Sequence, residues 1–92
     1  EFVIILPQTS EDEALLVAEK LRAAIENARF VDLNNEYHVT ASFGLTSAYP
    51  ATVDNFNKNN FINQADLALY DAKKDGRNRV TVYTPKKKWF GF

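Results

Sequence analysis

A helix and the turn that ends it are predicted by residues 65–80, which read ADLALYDAKKDGRNRV. Apolar residues recur at helical spacing as far as Ala72, and Gly76 follows where a left-handed residue usually ends a helix. Lys73 and Arg77 lie four residues apart across this helix end. The negative end of a helix dipole repels anions, so any anion bound here would require cationic side chains.

Toward the N-terminus, the sequence predicts a strand and a helix. Phe2–Leu6 form an unbroken apolar run that Pro7 ends, which is typical of a short central strand covered on both faces. Ser10 and Glu13 have the spacing of a capping box. The helix that begins there has one apolar stripe and is expected to run to about Ala28.

The rest of the chain predicts two strands and a second helix. Residues 37–48 alternate apolar and polar side chains, and Gly44 inside them indicates a bulge or close packing by another element. Residues 49–60 are interpreted as a loop, residues 61–75 as a helix and residues 80–83 as a last strand. The predicted fold is α/β, with the order strand, helix, strand, helix, strand.

Length and composition indicate one small globular domain. The 92 residues are 46% hydrophobic, and none is cysteine, which excludes disulfides and thiolate metal sites. The chain contains neither an apolar run of about 20 residues nor the pattern of a secretion signal. We therefore expect a cytoplasmic protein whose present segment makes no membrane contact.

Charge is distributed unevenly along the chain. Seven of the eleven basic residues lie between Lys73 and Lys88, whereas eight of the twelve acidic residues precede Tyr37. The basic end is therefore the part expected to face an anion. Residues 85–92 form a separate basic and aromatic tail, which could contact nucleic acid or a membrane surface, pack back on the domain, or remain solvated. Although the composition of the tail would permit contact with nucleic acid, we expect the protein to have no nucleic-acid partner.

Three motifs, in order, resemble the GGDEF family of diguanylate cyclases, which join two GTP molecules into cyclic di-GMP. They are EFVIILP at residues 1–7, VTASFG at residues 39–44, and the Lys73 to Arg79 segment described first. The resemblance implies a palm-like or ferredoxin-like nucleotide cyclase fold, an α+β sandwich. Residues 1–84 would be its C-terminal portion, beginning at the last two residues of the signature. A cloning scar is the alternative explanation of that start.

The same resemblance assigns roles to three residues. Glu1 corresponds to the fourth residue of the signature, an acid that binds metal or activates the attacking hydroxyl, and Lys73 and Arg77 correspond to cations that bind the nucleotide phosphates. The implied metal is Mg²⁺ or Mn²⁺. Each residue also has an ordinary interpretation: Glu1 as a solvated terminal side chain, and the two cations as partners of the helix dipole.

Other polar residues are given structural interpretations. Asn78 is expected to organise the turn, Tyr70 to be packed, and Asp66 to favour the positive end of the second helix. His38 has no second ligand or paired base in view and is interpreted as a strand residue on a polar face. Lys20 lies near the place where relatives carry a product-binding arginine, but a solvated helix position is the simpler interpretation.

The resemblance implies that the intact domain condenses two GTP into cyclic di-GMP and releases pyrophosphate, in bacterial signalling, as a homodimer. The fragment alone is expected to be inactive. Alternatives are a degenerate domain that binds GTP or cyclic di-GMP without turnover, and a structural or dimerisation module. Because the family's first strand would be missing from the sheet, the 2–6 strand is expected to expose apolar side chains and to promote self-association.

Overall fold

The computed structural model describes residues 1–49 and 56–85, and within them it has two helices and four short strands. In chain order these are α1 (Glu11–Asn27), β1 (Phe30–Asp32), β2 (Asn35–Tyr37), β3 (Phe43–Leu45), α2 (Lys58–Lys74) and β4 (Val80–Val82). Strands β1 and β2 form an antiparallel hairpin, while β3 and β4 pair in parallel. The predicted mixed α/β class is confirmed.

Helix α1 begins where its sequence predicts. The Ser10 hydroxyl accepts a hydrogen bond from the Glu13 amide at 3.2 Å, and Glu13 Oε1 accepts one from the Ser10 amide at 3.1 Å. These two bonds are the reciprocal pair of a capping box, which satisfies amides that have no partner inside the helix. The hydrogen bonds from the Ser10 amide and hydroxyl lower the pKa of the Glu13 carboxyl.

Both helices pack on the β3–β4 sheet. Gly44 in β3 permits the approach of α2, because a Cβ at this position would collide with the Ala65 carbonyl and the Leu69 backbone. The close-packing interpretation of Gly44 is therefore confirmed. Among the described residues, the buried apolar side chains are all small, which lets helices and sheet lie close together: Ala14, Ala18, Ala68 and Ala72.

The predicted central strand at residues 2–6 is wrong for this structure. Residues 1–10 contain no strand, and Phe2 is 97% exposed. A strand requires a neighbour for its backbone groups, and within the described residues β3 pairs only with β4. The expectation that residues 2–6 would expose apolar side chains is confirmed.

Other boundaries also differ from the prediction. Of residues 37–48, only Tyr37, the last residue of β2, and the three residues of β3 lie in strands. The β1–β2 hairpin is not predicted from the sequence, because its exposed residues give no buried face. Helix α2 begins at Lys58 rather than at Phe61, since the Asn57 side chain accepts hydrogen bonds from the amides of Asn59 and Asn60. Residues 86–92 of the predicted tail lie outside the described residues.

No helix in the described part of the chain is long and apolar enough to cross a membrane.

Candidate functional site

A shallow cavity of about 250 Å³ lies between the N-terminus and one face of α2. Four residues of α2 line the cavity, at the three- and four-residue spacing that places side chains on one helical face: Asp66, Leu69, Tyr70 and Lys73. The fifth lining residue is Glu1, at the start of the chain. The cavity therefore combines two carboxylates, one ammonium group, a phenol and one aliphatic side chain.

Glu1 and Lys73, two of the three predicted site residues, meet at this cavity. Glu1 Oε2 lies 3.6 Å from Lys73 Nζ, and the two side chains are 68% and 40% exposed. An ion pair this exposed contributes about 0–1 kcal/mol. A polyanionic ligand can therefore displace the Glu1 carboxylate from Lys73 at little cost.

Arg77, the third predicted site residue, lies just past the end of α2. Its amide donates to the Ala72 carbonyl at 2.9 Å, and the Gly76 amide donates to the Lys73 carbonyl at 3.5 Å. Together with the positive φ of Gly76, 124°, these bonds form a Schellman motif and confirm the predicted helix end. Arg77 is exposed but is not among the cavity-lining residues, so the structure brings together only Glu1 and Lys73.

A hydrogen-bonded cluster beside this turn was not predicted from the sequence. The Asn78 side chain contacts Arg22 and Glu26 of α1, and the backbone amide of Asn78 donates to the hydroxyl of Ser42, which precedes β3. Asn78 thus links the turn to α1 and to the segment that precedes β3. The pKa of Arg22 is raised by its hydrogen bond to Glu19, and Glu26 adds to the effect.

The structure corrects two side-chain interpretations. Tyr70 is 66% exposed and lines the cavity, so the prediction that it is packed is wrong. Asp66 lies in the middle of α2, whose first turn has no acidic residue, because the helix begins earlier than predicted. His38 lies just outside β2, with Nε2 at 3.9 Å from Glu36 Oε2, and Lys20 is exposed on α1.

Metal-binding capacity in this region rests on the cavity carboxylates. Within residues 1–49 and 56–85, no group of three or more histidine or acidic side chains is close enough to hold a metal by itself. Glu1 and Asp66 nevertheless line one cavity. Magnesium is commonly held by one or two carboxylates together with substrate phosphates, so this donor set fits a metal that arrives with a nucleotide.

Comparison with known proteins identifies the family. The model of the family described as diguanylate cyclase, GGDEF domain, matches residues 1–79. Diguanylate cyclase A of Treponema denticola is 35% identical over 82 residues, which cover 89% of this chain and 21% of that protein. The probable diguanylate cyclase DgcF of Escherichia coli K12 is 37% identical over 85 residues, covering 89% of this chain and 26% of that protein.

A solved structure supports the same assignment. The active GGEEF domain of a diguanylate cyclase from Vibrio cholerae superposes with a TM-score of 0.74 at 27% identity, covering 88% of this chain and 49% of that chain. The palm-like fold implied by the sequence motifs is thereby confirmed. The chain spans a fifth to a quarter of the length of the two relatives named above. On the family match over residues 1–79, this chain belongs to the GGDEF domain family of diguanylate cyclases.

Proposed function

We propose that this chain is part of a diguanylate cyclase domain, which condenses two GTP molecules into cyclic di-GMP. The observation that carries the proposal is the meeting of the Glu1 carboxylate and the Lys73 ammonium group, 3.6 Å apart, on one cavity. The relatives named as diguanylate cyclases support the choice of reaction.

The proposed chemistry is two nucleotidyl transfers. In each, a ribose 3′-hydroxyl attacks the α-phosphate of the other nucleotide, a new ester bond forms, and the bond to the departing pyrophosphate breaks. Negative charge increases on the phosphate oxygens as this happens, so cations placed beside them lower the barrier. Lys73 supplies a point charge, and Arg77 supplies a planar guanidinium that can hold two oxygens at once.

Glu1 serves either as a metal ligand or as the group that receives the hydroxyl proton. A triphosphate that binds the Lys73 ammonium group would weaken its contact with Glu1 Oε2 and leave the whole carboxylate available for either role. We propose Mg²⁺, or Mn²⁺ in its place, held by Glu1 with the nucleotide phosphates and with Asp66 as a second carboxylate of the same cavity. A divalent ion would supply further positive charge at the phosphates.

A second copy of the domain completes the proposed reaction. Cyclic di-GMP is a symmetric product of two equivalent transfers, so two copies that face each other, each holding one GTP, can both donate and receive. We therefore propose a homodimer as the active form.

Incubation of the full-length protein with GTP and Mg²⁺ tests the proposal, with the product identified by mass spectrometry and pyrophosphate measured separately. We expect cyclic di-GMP and two pyrophosphates for each product molecule. ATP in place of GTP is the control for nucleotide specificity. Tight binding of GTP without any product would contradict the proposal and favour a regulatory domain that binds nucleotide without turnover.

A further inference from the structure

The turn after α2 has an unusual backbone. Gly76, Arg77 and Asn78 have φ angles of 124°, 64° and 47°, so three consecutive residues lie in the left-handed half of conformational space. Two of them carry a side chain, whose Cβ crowds the backbone there. Such conformations persist only where the surrounding structure holds them, and they are concentrated at functional sites.

Asn78 is the residue through which the surrounding structure holds this turn. Its Oδ1 accepts a hydrogen bond from Arg22 Nη1 at 2.9 Å, and its Nδ2 donates to Glu26 Oε2 at 2.7 Å. Its backbone amide donates to Ser42 Oγ at 3.2 Å. Both ends of the amide side chain are thus bound to α1, and the backbone is bound to the segment that leads into β3.

The α1 side of this cluster is itself ordered. The Arg22 side chain is only 19% exposed, and it contacts Glu26 Oε1 and Glu19 Oε2 at 3.2 Å each. Glu26 therefore uses one oxygen for Arg22 and the other for Asn78, which closes a triangle of three side chains. In such a closed network each member orients the other two, and the bonds to charged groups are the strong ones.

We propose that Arg22, Glu26 and Asn78 are positioning residues for Arg77. These three residues hold the left-handed turn against α1. The conformation of the turn then sets the direction in which the exposed Arg77 side chain leaves the backbone. The Arg77 carbonyl is held on the same turn by Arg79 Nε at 3.1 Å. The inference rests on the proposed function, in which Arg77 binds nucleotide phosphates.

Asn78→Gly in the full-length protein tests the contribution of the Asn78 side chain, which links the turn to Arg22 and Glu26. Glycine adopts positive φ freely, so the backbone remains allowed while the three-residue triangle is lost. We expect the affinity for GTP, measured by calorimetry without divalent metal so that GTP is not consumed, to fall about tenfold, the loss expected when a charge-assisted phosphate contact is misplaced. Glu19→Gln is the matched control, because Glu19 contacts Arg22 but is not a hydrogen-bond partner of Asn78. It should bind GTP like the parent.

A double-mutant cycle separates positioning from general stabilisation. If the cluster acts through Arg77, then Asn78→Gly weakens GTP binding in the parent and has no further effect in the Arg77→Ala background. A merely structural role predicts the same loss in both backgrounds, which would overturn the inference. If Arg77→Ala by itself leaves GTP affinity unchanged, the proposed function has failed at Arg77, and the inference fails with it.

Exchange of the hydrogen-bonding partners gives a rescue test. Asn78→Asp alone places a second carboxylate against Glu26, so we expect weak GTP binding. When Glu26→Gln is added, the amide at position 26 donates a hydrogen bond to the carboxylate at position 78, which reverses the direction of the original bond. Arg22 still has an acceptor oxygen at each of the two positions. The combined variant should recover affinity to within about threefold of the parent, given that residues in direct contact are coupled. No recovery, in a protein whose melting temperature equals that of the parent, would contradict the positioning role.

Discussion

Gly44→Ala should destabilise the domain strongly, although it adds a single methyl group. A Cβ at Gly44 would overlap the Ala65 carbonyl oxygen and the Leu69 amide nitrogen, and its third close neighbour is the Leu69 Cα, at 2.9 Å. All three are main-chain atoms of α2, so no side-chain rotation relieves the contact. Overpacking usually costs about 1–3 kcal/mol, and a clash with rigid backbone belongs at the upper end, about 3 kcal/mol.

Thermal and urea denaturation of the full-length protein measure this cost. A loss of about 3 kcal/mol would lower the melting temperature of the intact domain by roughly 6–12 °C, because this chain covers only 49% of the matched GGEEF structure and a larger domain has a larger entropy of unfolding. Leu69→Ala is the diagnostic second substitution, since trimming the Leu69 side chain leaves its backbone in place and should not rescue Gly44→Ala. A cost below about 1 kcal/mol, or rescue by Leu69→Ala, would refute the argument that α2 packs directly on the glycine backbone.

Two further predictions concern the N-terminal part of the chain. The 92-residue polypeptide should self-associate, because the apolar side chains of Phe2 to Ile5 are exposed. The double variant Phe2→Ser with Ile5→Ser should show less association in sedimentation experiments. A monodisperse parent with dispersed amide NMR signals would contradict this prediction. The Glu13 pKa lies below its ordinary value of 4.5, so its stabilising effect is full above pH 4.5 and is lost as the pH falls through the lowered pKa. Glu13→Gln should remove that part of the acid dependence in pH-resolved melting curves, and an unchanged acid profile would argue against the capping box.

Local signals explain why the helices could be predicted from the sequence. Ser10 and Glu13 contact each other three residues apart, and the Schellman motif at Gly76 needs only the neighbouring residues of α2. The sequence pattern predicts a start of α2 at Phe61, three residues later than the observed start, because Asn57 lies in an asparagine-rich stretch that is typical of a loop. Where capping and periodicity agree over a short distance, sequence patterns are sufficient.

Contacts distant in sequence explain what could not be predicted. Asn78 is 56 residues from Arg22 and 52 from Glu26, so no local pattern connects them. The run at residues 2–6 has the composition of a strand, but strand formation depends on a neighbour whose backbone can pair with it. The separate roles of Glu1 and Lys73 follow only from family resemblance, and no sequence pattern predicts their contact, since 72 positions separate the two residues.

The most direct test of the central claim is the effect of Lys73→Ala on cyclic di-GMP formation by the full-length protein. Lys58→Ala is the matched control, because it removes the same charge from the opposite end of α2. We predict that kcat/KM falls about 100-fold or more for Lys73→Ala, as when one donor to a transition-state oxyanion is removed, and stays unchanged for Lys58→Ala. Equal activity of the two variants would contradict a phosphate-binding role for this end of α2.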